Sequence, residues 1–196
     1  IGKMTKAKIQ RITYGAFWEK RWQVGHVGSV IPPDRDTLIQ VEDVKCLSIP
    51  KGYTFAADPA GLMNGAIYCE LMRARTGKGR IAAYSGDDWQ FIDVPTGEGH
   101  LSYPQILSVE DKHYLFPEMA SSGPPTLFLL DAEGVRCERS KELEGLENER
   151  LVDATIFREG GDWYLFASKR EASGSELRLW ISTSLNGPWS LHRDSP

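Results

Sequence analysis

Three segments of the chain repeat one another at a spacing that few folds can use. "AADPAGLMNGAIYCELM" (56–72), "LSYPQILSVEDKHYLFPEMA" (101–120) and "LVDATIFREGGDWYLFASKR" (151–170) each read as a short strand, a polar turn and a second apolar strand. Asp58, Tyr103 and Asp153 mark one equivalent position, 45 and 50 residues apart, and Glu70, Glu118 and Ser168 mark another, 48 and 50 apart. Each unit runs on into a third strand ("GRIAAYS", "PTLFLLD", "ELRLWIST") and a more polar fourth ("DWQFIDV", "GVRCERS", "GPWSLHR"). Aromatic and β-branched residues fill these runs, and Asn64-Gly65, Gly160-Gly161 and Asn186-Gly187 supply turns. Four short strands per repeat of this length describe a blade of a β-propeller. In the first full unit the strands are expected at about 53–58, 65–71, 79–85 and 88–94.

Helix-bearing alternatives lack material. The one helical candidate, "KELEGLENERL" (141–151), is interrupted by Gly145 and crowded with acids, and reads as an exposed connection or a single loose turn. Residues 1–52 carry "KIQRITYGAFWE", "RWQVGHVGSV" and "TLIQVED", enough for two or three strands of a partial N-terminal blade, with "IPPDRD" as a loop. Residues 53–196 then form three full blades of the same single domain, about three and a half in all. A propeller closes its ring to remove sheet edges, so the expectation is a piece of a longer five-bladed protein, or a blade supplied from elsewhere. A four-bladed ring fits less well, since no C-terminal strand is left to complete the partial blade.

Composition narrows the partners. With 196 residues, 41% hydrophobic and 26% charged, the chain can bury one sizeable core. A net charge of −4 and a pI near 5.6 give no electrostatic reason to expect nucleic acid or an acidic membrane surface. No run approaches the ~20 apolar residues of a membrane span, and no signal peptide is visible. Cys46, Cys69 and Cys137 are odd in number and scattered, so reduced, buried thiols are expected rather than disulfides or zinc. Unpaired cysteines point to the cytoplasm, although Ile1 in place of Met fits a natural N-terminus that has been trimmed. Metal-ligand spacing is absent, and no cofactor is expected.

The acids are the chemistry-bearing residues. The innermost strand of each blade lines the central channel, so equivalent points on successive blades converge at one mouth. Asp58 and Asp153 share a register and are expected to face one cavity with their carboxyls within about 10 Å, the upper range for paired catalytic carboxylates. Glu118, ending the second strand of the intervening unit, is the third carboxyl, and Glu70, its counterpart one blade earlier, is a candidate substrate contact. Buried carboxylates without partners are costly, which argues against isolated structural roles, although each acid alone could cap a turn or pair with a base. His100 in "HLSYP" could bond a sugar hydroxyl or be structural. Tyr103 could meet a ligand or simply fill the channel. Lys169 and Arg170 could meet an anionic sugar or phosphate, or be a solvated turn. Trp89, Trp163, Trp180 and Trp189 read as packing between blades, and "TGKGR" (76–80) as a hairpin turn without phosphate-loop context.

The motifs "ADP" (57–59), "HLSYP" (100–104), "YLFPE" (114–118), "LVDATIF" (151–157), "WYLFAS" (163–168) and "GPWSLH" (187–192) together resemble a known domain. It is the five-bladed propeller domain of plant glucosamine inositolphosphorylceramide transferases and of bacterial relatives, some of which join it to a formyltransferase-like domain. The resemblance runs from about Tyr53 to His192. More distantly, the set resembles five-bladed glycoside hydrolases of the arabinanase, xylosidase, invertase and levansucrase type. That likeness implies Asp58, with its following Pro59, as base or nucleophile. It implies Asp153 as the second acid that orients substrate, with Ala154 in place of the usual proline, and Glu118 as general acid. The hydrolases place their acid after the second aspartate, whereas Glu118 precedes it. What the resemblance implies is a carbohydrate-active propeller, hydrolase-like or associated with glycosyl transfer. The alternative is a non-catalytic glycan or glycolipid recognition module serving a fused or separate transferase domain.

Overall fold

The computed structural model describes residues 22–26, 44–63, 65–171 and 174–195. Among them there is no helix. Two short strands, β1 (Gly25–His26) and β2 (Lys45–Cys46), pair antiparallel. They are followed by β3 (Tyr53–Met63), β4 (Ala66–Arg73), β5 (Gly79–Ser85) and β6 (Asp88–Phe91), which form one four-stranded meander. A second meander comprises β7 (Ser102–Val109), β8 (Lys112–Glu118), β9 (Thr126–Leu130) and β10 (Cys137–Glu142). A third comprises β11 (Leu151–Glu159), β12 (Asp162–Glu171), β13 (Gly174–Ser182) and β14 (Ser190–Leu191). These are three blades of a β-propeller, called here the first, second and third. The expected strands in "KIQRITYGAFWE" and "TLIQVED" and the loop "IPPDRD" lie outside the described residues.

The hairpin chemistry follows the sequence. Gly86-Asp87 between β5 and β6, and Gly160-Gly161 between β11 and β12, have both central residues at positive φ. That is the two-residue turn whose twist matches the strands it joins.

The core lies between blades. Tyr68, Ile81 and Ala83 of the first blade pack on Leu115 and Phe128 of the second. Leu107, Phe116 and Leu127 of the second pack on Ile156, Leu165 and Trp180 of the third. Trp163 and Trp189 join that second interface, while Trp89 packs on the far side of the first blade and donates to the Ser48 carbonyl. On that far side Val24 and Leu47, beside β1 and β2, cover Ala56, Cys69 and Leu71.

Two expectations change. The first strand does not stop near Asp58 but runs to Met63, bent on the way. The 141–151 connection is not exposed throughout: Leu143 and Leu146 are fully buried in the interface between the second and third blades. Two leucines three residues apart turn inward while Glu144 between them stays in water. Gly145, at φ +90°, lies against the Trp189 backbone where a side chain would collide.

The bend in the first strands is the same in all three blades. Ala57 pairs with Glu70 and Ala60 with Tyr68, which leaves Asp58 and Pro59 facing Cys69 alone. Ser102 pairs with Glu118 and Gln105 with Phe116, leaving Tyr103 and Pro104 facing Pro117. Val152 pairs with Ser168 and Thr155 with Phe166, leaving Asp153 and Ala154 facing Ala167. Each is a two-against-one β-bulge. Asp58, Tyr103 and Asp153 sit in it at φ +51°, +41° and +51°, a left-handed conformation that costs a non-glycine residue about 1–2 kcal/mol.

Candidate functional site

The bulges bring two equivalent positions together. The residue before each bulge pairs across to Glu70, Glu118 or Ser168, so every bulge residue stands beside one member of the second repeat set. In the first blade this sets Asp58 next to Glu70, and their carboxyls are within hydrogen-bonding reach. Two carboxyl groups can bond only by sharing a proton.

Glu70 is the carboxyl placed to hold that proton. It is buried, 5% exposed, and its Oε1 has no hydrogen-bond partner. Burial first, then the Asp58 charge and contact, then the Glu118 charge, push Glu70 up to about 7. His100 Nε2 lies 3.9 Å from Glu70 Oε1, beyond a hydrogen bond. The other ring nitrogen, Nδ1, accepts from the Gly79 amide at 2.8 Å, which leaves the ring proton on the Nε2 that faces Glu70. Gly79 is therefore more than the end of a turn. A methyl group there would overlap the Glu70 carboxyl and the Leu101 carbonyl.

The second pair spans two blades. Glu118, on β8, accepts from the backbone N–H of Asp153 at 3.0 Å, in the bulge of β11. Burial, the largest influence, raises Glu118. The Asp153 N–H and the nearby His100 ring pull it down, and the Asp153 carboxylate pushes it up. The blades are held in this register by Gln105, whose amide donates to the Ile156 carbonyl at 2.6 Å and accepts from the Ile156 N–H at 2.8 Å. Tyr103, in the bulge where the other blades have acids, reaches Thr155 Oγ1 at 3.3 Å. Asp58, Glu70, Glu118, Asp153 and His100 are thus one coupled electrostatic group.

Lys169 does not stand free for an anionic ligand. Its ammonium pairs with Glu149 at 3.1 Å. Arg170 lies on β12 opposite Ser175, and its side chain is outside the described residues. The cysteines are unpaired, but Cys46 is exposed, against expectation. Cys69 is buried beneath the first bulge, where burial and the Asp58 charge push its thiol up to about 12. Among the described residues, no group of His, Cys, Asp and Glu side chains is arranged to hold a metal ion, and no helix is long and apolar enough to cross a membrane.

A cavity of about 540 Å³ opens on Asp58 and Glu70, walled by Trp22, Val24, Phe55 and Pro59. Sequence reasoning missed Trp22, Gly79 and Gln105. Gly79 was legible only as turn chemistry, and nothing in one sequence says that Gln105 meets a strand 50 residues away.

Residues 44–196 match the family described as glucosamine inositolphosphorylceramide transferase 1, N-terminal. The chain belongs to that family. The glucosamine inositolphosphorylceramide transferase 1 of japonica rice is 31% identical over 154 residues, covering 72% of this chain and 20% of the rice protein. This family member thus spans about a fifth of the length of the curated relatives it matches. Those relatives are plant proteins, and the expected bacterial kin find no support among them. Among solved structures, an exo-β-1,3-galactanase from Phanerochaete chrysosporium, in complex with β-1,3-galactotriose, aligns at a TM-score of 0.55 with 15% identity, over 73% of this chain and 36% of that one. A GH43B protein of a Bacteroides ovatus xyloglucan locus aligns at 0.54 with 15% identity, over 78% and 34%. The family member shares the propeller fold of these proteins.

Proposed function

We propose that the acid-lined mouth of this propeller binds an amino sugar, free or as a glycolipid headgroup, in support of glycosyl transfer by a further domain. The observation that carries this is the gathering of four acids at equivalent bulges of the first and third blades: Asp58 beside Glu70, and Glu118 bonded to the backbone N–H of Asp153. Four carboxyls that repel one another are relieved by an ammonium group, and glucosamine, which the relatives' name carries, offers one. The cavity wall of Trp22 and Phe55 suits the apolar face of a sugar ring, and Asp58 and Glu70 suit its polar edge. In a ring of five blades these acids would occupy one side of the channel mouth.

The position of the acid argues for binding over hydrolysis: Glu118 is engaged by the backbone N–H of Asp153 and precedes Asp153 in the chain, whereas the hydrolases place their acid after the second aspartate. One observation favours chemistry as a second reading: a glutamate raised to about 7 by burial and a neighbouring aspartate is how an enzyme keeps an acid protonated at neutral pH. On that reading Glu70, rather than Glu118, is the general acid, with Asp58 and Asp153 as the other two carboxyls of the site.

Calorimetric titration with glucosamine, N-acetylglucosamine and glucuronate tests the proposal. Glucosamine should bind at least tenfold more tightly than either of the others, and Glu118→Gln should erase most of that preference. Equal or tighter binding of glucuronate would defeat it. Release of sugar from aryl glycosides, lost in Glu70→Gln, would establish the second reading instead.

A further inference from the structure

The hairpin between β4 and β5 concentrates positive charge on a chain whose net charge is −4. "RARTGKGR" (73–80) places Arg73, Arg75, Lys78 and Arg80 close together and contains no acid. The turn is tight: the Arg73 amide donates to the Lys78 carbonyl at 3.0 Å, and the Gly77 amide to the Arg73 carbonyl at 3.0 Å. Elsewhere Lys45, Lys169 and Arg178 each pair with a carboxylate. Among the described residues none of the hairpin cations does. Lys78 Nζ donates instead to the Glu98 carbonyl at 2.8 Å, and the Arg80 guanidinium lies 4.9 Å over the Phe91 ring. Those two contacts fix the side chains without cancelling their charge.

Beside the hairpin is a cleft of about 120 Å³, walled by Arg73, Arg80, Asp93, Thr96, Gly97 and Gly99. It is separate from the larger cavity at Asp58 and Glu70. Its volume matches about four waters at their liquid density, which is room for one small tetrahedral anion. The amides of Gly97 and Gly99 donate to no protein group among the described residues. A planar carboxylate is satisfied by one guanidinium fork, whereas two forks and two backbone amides on one wall offer donors to three or more oxygens. A phosphoryl group supplies that number. We infer that this cleft binds a phosphoryl group, free or carried on a lipid headgroup, with Arg73 and Arg80 as its cationic contacts. The segment lacks the strand-to-helix setting of a phosphate loop, and the donors here are guanidinium groups instead. Asp93, the carboxylate on the same wall, works against the anion, and the two guanidinium groups outweigh it. The inference stands apart from the sugar reading of the mouth and uses none of its residues.

Inorganic phosphate titrated into the 196-residue chain, followed by calorimetry and by amide resonances, tests the inference. The Gly97 and Gly99 amides should shift to saturation, while those of Gly160 and Gly161, in the hairpin of the third blade, should stay still. That measurement needs no variant to fold. Arg73→Gln and Arg80→Gln should each weaken phosphate at least fivefold, and Asp93→Asn should strengthen it at least twofold. Arg75→Gln, on the exposed turn, should change it less than twofold at physiological salt. Phosphatidylcholine vesicles with and without phosphatidic acid separate the two sources. Retention on phosphatidic acid that Arg73→Gln abolishes assigns a lipid headgroup, and phosphate binding without retention assigns a soluble ester; either supports the site. Equal losses in Arg75→Gln and Arg73→Gln would mean a diffuse positive patch and would overturn the inference. So would still Gly97 and Gly99 amides at high phosphate, or acetate bound as tightly as phosphate. Binding of oligothymidylate without binding of inorganic phosphate would overturn it as well, since the hairpin would then track a nucleic-acid backbone.

Discussion

The backbone amide of Asp153 donates to the carboxylate of Glu118 across the boundary between two blades, at 3.0 Å. The bond exists because the bulge turns the Asp153 N–H out of its own ladder, and because Glu118 ends its strand beside the neighbouring blade. A hydrogen bond to a charged acceptor contributes about 1.5–3 kcal/mol, so the acid cluster also ties the second blade to the third.

Asp153→Asn keeps that bond, since the donor is backbone, and asparagine tolerates the left-handed conformation as aspartate does. The melting temperature should stay within about 2 °C of wild type, a shift under about 1 kcal/mol for a chain of this size. Glucosamine affinity should drop at least tenfold in the same preparation. A stability loss with affinity intact would return Asp153 to a structural role.

Glu70 carries the pH dependence. Its folded-state value, about 7, lies above the ordinary 4.5, so between those values the native protein holds a proton that the unfolded chain has lost. Stability therefore falls as pH rises through that window and levels off above it. The shift corresponds to about 3 kcal/mol. Glu70→Gln, which removes the charge and keeps the shape, should raise the melting temperature by about 5 °C or more at pH 8 and by little at pH 5. An equal gain at both values would show that Glu70 does not hold the proton.

Gly79→Ala introduces a methyl group where the Glu70 carboxyl and the Leu101 carbonyl already lie. Overpacking of this kind costs about 1–3 kcal/mol. Glu70 should also be pushed toward solvent, so its carboxyl titration, followed by carbon-13 resonance, should move back toward the ordinary carboxylate range. Unchanged titration would mean that the site accommodates the methyl without moving Glu70.

Gln105→Leu keeps volume and strips both bonds to the Ile156 backbone. Leaving that N–H and carbonyl unsatisfied should cost about 2 kcal/mol or more, read from the urea midpoint. The Ile156 amide should exchange faster, and sugar affinity should fall because the Glu118–Asp153 contact crosses the same seam.

The repeat was legible because backbone periodicity survives changes of side chain: Tyr103 at the second marker still announced the position held by Asp58 and Asp153. Strand order and the pairing of neighbouring blades followed from it. The bulges were hidden, since an Asp-Pro or Tyr-Pro step looks the same in a straight strand as in a bent one. Glu70 stood in the sequence as a ligand contact and Glu118 as the acid. Their relative burial decides which is pushed to neutrality, and burial depends on Gly79 and His100, which belong to different elements. Leu143 and Leu146 were masked by the acids around them.

The repeated bulge separates where a functional group stands from what that group is. The backbone alone fixes the location, three times over, so a single codon change at 58, 103 or 153 alters the chemistry of the mouth without altering its geometry. Tyrosine at 103 shows that the bulge holds a different group equally well, and it makes this position the natural entry point for redesign: an aspartate written there would complete a third acidic station on a scaffold built to receive it.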